Sequence, residues 1–195
     1  DKLAIYETCM RQFPNDWRGF NDAGMIHFEM GNIAAAQSNF NKANSMSANN
    51  PVVQNNLGAV ALKNGDLKQA EIYFGAATGA GDEVNYNKGI VAIKSGDYAA
   101  AVNYFGQCNC VNAALANVLA GNNNEALKKL NAENKECPMS YYLKAVIGAR
   151  TNDATAVIEN LRKACSLDGS FKQLAATDME FAKFFENNDF IAITK

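Results

Sequence analysis

The chain has 195 residues, 48% of them hydrophobic, and its 18 Lys and Arg stand against 20 Asp and Glu for a net charge of -2. That length and apolar content suffice for one domain or one elongated array, and the near balance of charge excludes the basic field that nucleic acid or an acidic membrane surface requires. No run reaches the roughly 18 apolar residues of a membrane span, so no membrane insertion is expected, and Asp1-Lys2-Leu3-Ala4-Ile5-Tyr6 shows no basic region leading into an apolar one.

Taken in chain order, "YETCMRQFPND" (6–16) predicts a helix closed by a Pro loop. "FNDAGMIHFEM" (20–30) and "IAAAQSNFNKA" (33–43) then set small or apolar residues three and four apart, the period of two helices. Between them stands Gly31-Asn32, and the same arrangement returns as Gly65-Asp66 and Gly96-Asp97. The Gly suits a left-handed helix end and the Asn or Asp suits the cap of the next helix, so each pair predicts a helix-turn-helix joint.

Other columns move with the joint. Gly24 returns as Gly58 and Gly89, Ala36 as Ala70 and Ala101, Phe40 as Phe74 and Phe105, and Ala43 as Ala77 and Cys108; the first step is 34 residues and the second 31. Gly and Ala let two antiparallel helices approach closely, and the Phe fills the space between neighbouring units. "NAALANVLAGNNNEALKKLNA" (112–132) continues the pattern with Gly121 at its joint. Gly96 to Gly121 is only 25 residues, which predicts a tight connection or a short preceding helix. "YYLKAVIGARTNDATAVIENLRKACSLD" (141–168) places Ala145 in the Gly column, Asn152-Asp153 at the turn, and Leu161 and Ala164 in the packing columns. "SFKQLAATDMEFAKFFENNDFIAI" (170–193) is apolar on a helical period without a joint, as a terminal cap would be.

The order Leu-Gly or Ala-Gly, a middle Gly-Asp, then Ala, Phe and Ala resembles the tetratricopeptide repeat, and "NNLGAVALKNGDLKQAEIYFGAA" carries nearly every signature place. The resemblance implies an all-α, right-handed α-α superhelix of about five helix-turn-helix repeats, at about 17–50, 51–81, 82–109, 110–138 and 139–169. Residues 1–16 would be the second helix of a partial preceding repeat, the sequence then beginning inside a longer chain, and 170–195 a C-terminal capping helix and tail.

In such arrays the first helix of each unit lines a concave groove. Carried over column by column, the candidate partner-binding residues are Asn21, Met25 and Phe28; Asn55 and Asn56; Tyr86, Asn87 and Ile90; and Asn112 and Leu115. Asp22, Ala59, Leu62, Ile93, Val111 and Val118 would flank them, and Tyr142, Leu143 and Val146 would continue the wall in the fifth unit. Asn56, Asn87 and Asn112 share one column, where an amide could serve an extended peptide main chain or bond only within the array. Members that clamp a carboxylate place Lys and Arg around such an Asn, whereas those columns here hold Asn21, Met25, Glu83 and Asn87, so the expected groove is neutral and partly apolar.

Chemistry finds little material. The single His, His27, falls in a column of large packed residues, no nucleophile or phosphate-loop motif is present, and Asp66 and Asp97 read as helix caps. Five Cys is an odd number, none forms a CxxC, and Cys108 and Cys110 would point apart on a helix. Cys9, Cys108 and Cys165 fall at or beside the small-residue column, so free, core-packed thiols are expected.

The expected function is therefore a noncatalytic scaffold, without cofactor or metal, that holds a protein or peptide partner. The alternative is an architectural spacer or oligomerisation element whose groove is filled by its own terminal helix or a second copy. Replacing Asn56 and Asn87 by Ala is expected to weaken partner capture with little change in melting temperature. Free cysteines point to the cytoplasm, whereas the Asn-rich, lightly charged array ending in "TDMEFAKFFENNDF" (177–190) is similar to repeat segments of bacterial cell-envelope proteins, and the envelope (periplasm) is the expected location.

Overall fold

The computed structural model describes residues 2–133 and 136–195, and among them every regular element is helical. The chain divides into two compact units, Asp1–Asp97 and Tyr98–Lys195. The first holds α1 (Lys2–Gln12), α2 (Trp17–Glu29), α3 (Ile33–Met46), α4 (Pro51–Lys63), α5 (Leu67–Ala76) and α6 (Asp82–Ser95). The second holds α7 (Tyr98–Phe105), α8 (Val111–Leu119), α9 (Asn123–Ala132), α10 (Pro138–Arg150), α11 (Ala154–Leu167), α12 (Ser170–Thr177), a 3-10 helix (Met179–Phe184) and α13 (Asn188–Thr194).

The joints behave as one device used repeatedly. Gly31, Gly65, Gly96 and Gly121 take φ of 79 to 81°, and Asn152 takes 58° at the fifth position. The residue after each donates its N–H back across five residues, at 2.8 or 2.9 Å: Asn32 to His27 O, Asp66 to Ala61 O, Asp97 to Ala92 O, Asn122 to Asn117 O and Asp153 to Gly148 O. This closes the helix with otherwise unpaired carbonyls satisfied. The expected side-chain caps form only in part: Asp66 accepts from Gln69 N and Asp153 from Ala156 N, while Asn32 and Asn122 make no side-chain cap bond.

In the first unit, α2 packs on α3 and α4 on α5 through the Gly and Phe columns. A Cβ added at Gly24 would stand 2.6 Å from the ring of Phe40, and one at Gly58 would stand 2.5 Å from the ring of Phe74. Both rings are buried with the columns' alanines, Ala36, Ala43, Ala70 and Ala77, each 0% exposed. Glycine is thus required by ring contact rather than by backbone conformation. The lone α1 packs on α2, where a Cβ at Gly19 would lie 3.2 Å from Met10 Cγ.

In the second unit, α10 and α11 form the tightest pair. Ala145, Leu161 and Ala164 are fully buried as their columns require, but Gly148 carries the closest approach, its notional Cβ 3.1 Å from Ala156 Cβ and Val157 N. The short repeat comes from both of its helices: α7 spans only eight residues, as expected, and α8 only nine. Pro138 opens α10, where its missing N–H leaves no bond unmade.

The terminal segment covers α10 and α11 in three pieces rather than one helix. Asp178 (φ -77°, ψ 119°) and Asn187 (φ -78°, ψ 127°) are extended, and each caps the helical piece after it, so each ends one piece and starts the next. Phe171 and Phe181 pack on Tyr142 at ring-centroid distances of 5.2 and 5.6 Å. The Tyr142 hydroxyl donates to Asp178, and Arg150 of α10 pairs with Glu180 while donating to the Val118 carbonyl.

Candidate functional site

The inner-helix positions of the first unit lie on α2, α4 and α6, with α4 in contact with both of the others. Their asparagines do not form a ladder along one column. Asn56 Nδ2 donates to Asn21 Oδ1 at 2.8 Å, and Asn87 Nδ2 donates to Asn55 Oδ1 at 3.0 Å. Each amide of the shared column reaches back to the residue one place earlier in the preceding repeat. Asn21 is 4% exposed and also donates to Asp22 Oδ1 at 3.3 Å, so it is structural first.

These pairs leave polar capacity unspent. Asn56 Oδ1, Asn87 Oδ1 and Asn55 Nδ2 make no hydrogen bond among the described residues, and all three side chains are half-buried or exposed enough to be reached. Apolar surface flanks them: Met25 is 44% exposed and Tyr86 40%, with Ile90 half-buried. Phe28 belongs more to the core, packed with the cluster around Phe40, Val53 and Leu57. The strip is uncharged at these positions and offers both donors and acceptors.

On the second unit, Asn112 and Leu115 lie on α8, both half-buried, with Leu115 against that unit's core. The expected wall of the fifth repeat is not open. Tyr142, Leu143 and Val146 are at most 5% exposed, Tyr142 lying beneath the terminal segment, and Val118 is also buried. Burial, with the Asp178 carboxylate beside it, pushes the Tyr142 phenol well above its usual range.

Two expectations about side chains need correction. Cys108 and Cys110 are not core thiols on a helix: α7 stops at Phe105, both lie half-buried in the following loop, and they are paired as a disulfide. Cys9 is half-buried too, and only Cys165 has the buried place expected of it. The sequence did carry a signal, since the 25-residue step left too little length for Cys108 to stay helical. His27 is half-buried with its Nδ1 unbonded among the described residues, and no three His, Cys, Asp or Glu among those residues gather in a metal-binding group.

Comparison with known proteins agrees with this geometry. The family model described as Tetratricopeptide repeat matches residues 18–50 and 82–114. No curated protein sequence matches significantly. Among solved structures, PilW, a type IV pilus biogenesis factor, is 18% identical, with 98% of this chain and 89% of that one covered at a TM-score of 0.73. PilF of Pseudomonas aeruginosa is 15% identical, covering 92% and 85% at 0.71. YrrB, a TPR protein with an unusual peptide-binding site, is 17% identical, covering 84% and 92% at 0.65. At these identities the likeness is one of fold, an all-α repeat solenoid, and the family model adds tetratricopeptide repeats at two stretches of the chain, which together support a tetratricopeptide-repeat protein.

Proposed function

We propose that the chain is a noncatalytic scaffold whose α2–α4–α6 face holds an extended segment of a partner protein. The observation that carries this reading is the combination of spare amide groups on Asn55, Asn56 and Asn87 with the exposed side chains of Met25 and Tyr86 on one strip. An extended segment presents alternating main-chain donors and acceptors, which accessible amides can meet, and its apolar side chains can cover Met25 and Tyr86. The absence of a cationic pair in these columns favours an internal, uncharged segment over a free C-terminal carboxylate. Asn112 and Leu115 are assigned the same role on α8 of the second unit. We place the protein at the bacterial cell envelope, on the resemblance of its Asn-rich array to envelope repeat segments; the fold is shared with PilW, a pilus biogenesis factor.

The test is selection from a random peptide library on the full chain, with affinity then measured by fluorescence anisotropy. Met25→Ser combined with Tyr86→Ala should weaken the selected peptide by about tenfold or more, with helical circular dichroism on the same variant showing that it is folded. Failure to enrich any peptide, or equal binding by the double variant, would overturn the assignment. For the second unit the architectural alternative has specific support, because the chain's own terminal segment already lies over Tyr142. Sedimentation across a concentration series separates self-association from a separate ligand.

A further inference from the structure

The loop between α7 and α8 holds groups that the scaffold role does not use. Cys108 and Cys110 stand with Cα atoms 5.5 Å apart and their sulfurs paired, within the usual reach of a disulfide. The loop is anchored from another helix: Lys129 Nζ of α9 donates to Gly106 O at 2.8 Å and to Cys108 O at 3.0 Å. Cys110 is also the N-cap residue of α8, extended at φ -126° and ψ 157°, and it makes no side-chain cap bond. The other joints of this chain that start on Asp66, Asp153 or Asn50 use a side-chain oxygen there.

We propose that Cys108 and Cys110 form a redox site whose closure fixes the α7–α8 connection and the first turn of α8. Two thiols lose two protons and two electrons to a disulfide donor, such as a small-molecule or protein disulfide, which leaves as two thiols; one S–S bond forms and one breaks. The closed ring does at α8 what an oxygen cap does at α4, α5 and α11: it holds the residue before the helix in place. It acts in the shortest repeat, across the five residues, 106–110, that join the two helices. Reduction frees Cys110, a weak hydrogen-bond former in a cap position, while Lys129 still restrains the carbonyls on the Cys108 side.

The experiment uses the full chain equilibrated with oxidised glutathione, then denatured and alkylated. The peptide spanning 106–111 should be unalkylated and two hydrogens lighter than the dithiol form, while Cys9 and Cys137 are alkylated or carry glutathione as a mixed disulfide. Native amide exchange at residues 114–117, the first amides bonded within α8, should then quicken about fivefold on reduction, the fraying expected when the residue before the helix is released. Cys108→Ser should show the fast rate with or without reductant. Cys110→Ser, which places a good capping hydroxyl at the same residue, should show the slow rate under both conditions. Full alkylation of both cysteines after the glutathione step, or an exchange rate at 114–117 that ignores reduction, overturns the proposal.

Discussion

Gly58→Ala and Gly75→Ala insert the same methyl group into one repeat with opposite expected consequences. At Gly58 the new Cβ would meet Phe74 Cε1 at 2.5 Å, Cδ1 at 2.6 Å and Cζ at 3.0 Å, and Phe74 is 0% exposed. Reaching an ordinary carbon–carbon separation requires the ring or helix to move about 1 Å, and such overpacking costs about 1–3 kcal/mol. Alanine's better helix propensity returns about 1 kcal/mol, for a net loss of about 0–2 kcal/mol. At Gly75, near the end of α5, nothing lies within 4 Å of the added Cβ, so the variant should gain about 0.5–1 kcal/mol. Urea unfolding followed by helical circular dichroism measures both, and amide exchange across α4 and α5 assigns the change to that repeat. Equal stabilisation by the two substitutions would refute the ring-contact account of the glycine column. Adding Phe74→Leu to Gly58→Ala should recover part of the loss, because the smaller side chain vacates the space that the new methyl takes.

The amide pairs divide unequally. Asn56→Ala leaves Asn21 Oδ1, in a side chain 4% exposed, without that donor and should cost about 1–3 kcal/mol; Asn87→Ala leaves half-buried Asn55 within reach of water and should cost less than about 1 kcal/mol. Thermal melts of the two single variants check this, and a harmless Asn56→Ala would contradict the pairing. Tyr142 gives a pH signature. Its phenol ionises near the ordinary value of 10.0 when unfolded and higher when folded, so the unfolded chain releases the proton first and stability falls as the pH rises above about 10. Urea midpoints at about pH 8 and pH 11 should show that fall, and Tyr142→Phe should diminish it. Asp16 gives the opposite signature: hydrogen bonds from the Arg18 side chain and backbone lower its carboxyl to about 2, so its contribution to the start of α2 is present above 3.8 and fades as the pH drops toward 2. Amide exchange in the first turn of α2 from about pH 5 to pH 2 reads it directly.

The repeat was legible because its causes are local. A residue with positive φ, a glycine under a ring and an alanine between helices each narrow the permitted side chain at one position, and recurrence makes the columns visible. The amide pairing was not legible at that level. Whether Asn56 faces a ligand, its own column or Asn21 depends on how far α4 rotates against α2, which neighbouring packing decides. The terminal segment failed for a different reason: Asp178 and Asn187 cap short pieces, and such residues are equally common on helix surfaces. The expectation that Asn56 could be removed without a stability cost came from treating the column as a ligand surface, and the bond to Asn21 reverses it.

The constancy of the five hinges against steps of 34, 31, 25 and 31 residues has a practical side. Length varies in the helices, α3, α5, α7 and α9 spanning 14, 10, 8 and 10 residues, while the hinge within a pair keeps its bonding and the chain passes from pair to pair through short connections. Foreign sequence belongs in those outer connections. The stretch 78–81, with Gly79 and Gly81 at φ of 95 and 110°, is a port where a label or an affinity tag could be threaded while the Gly58–Phe74 lock stays seated.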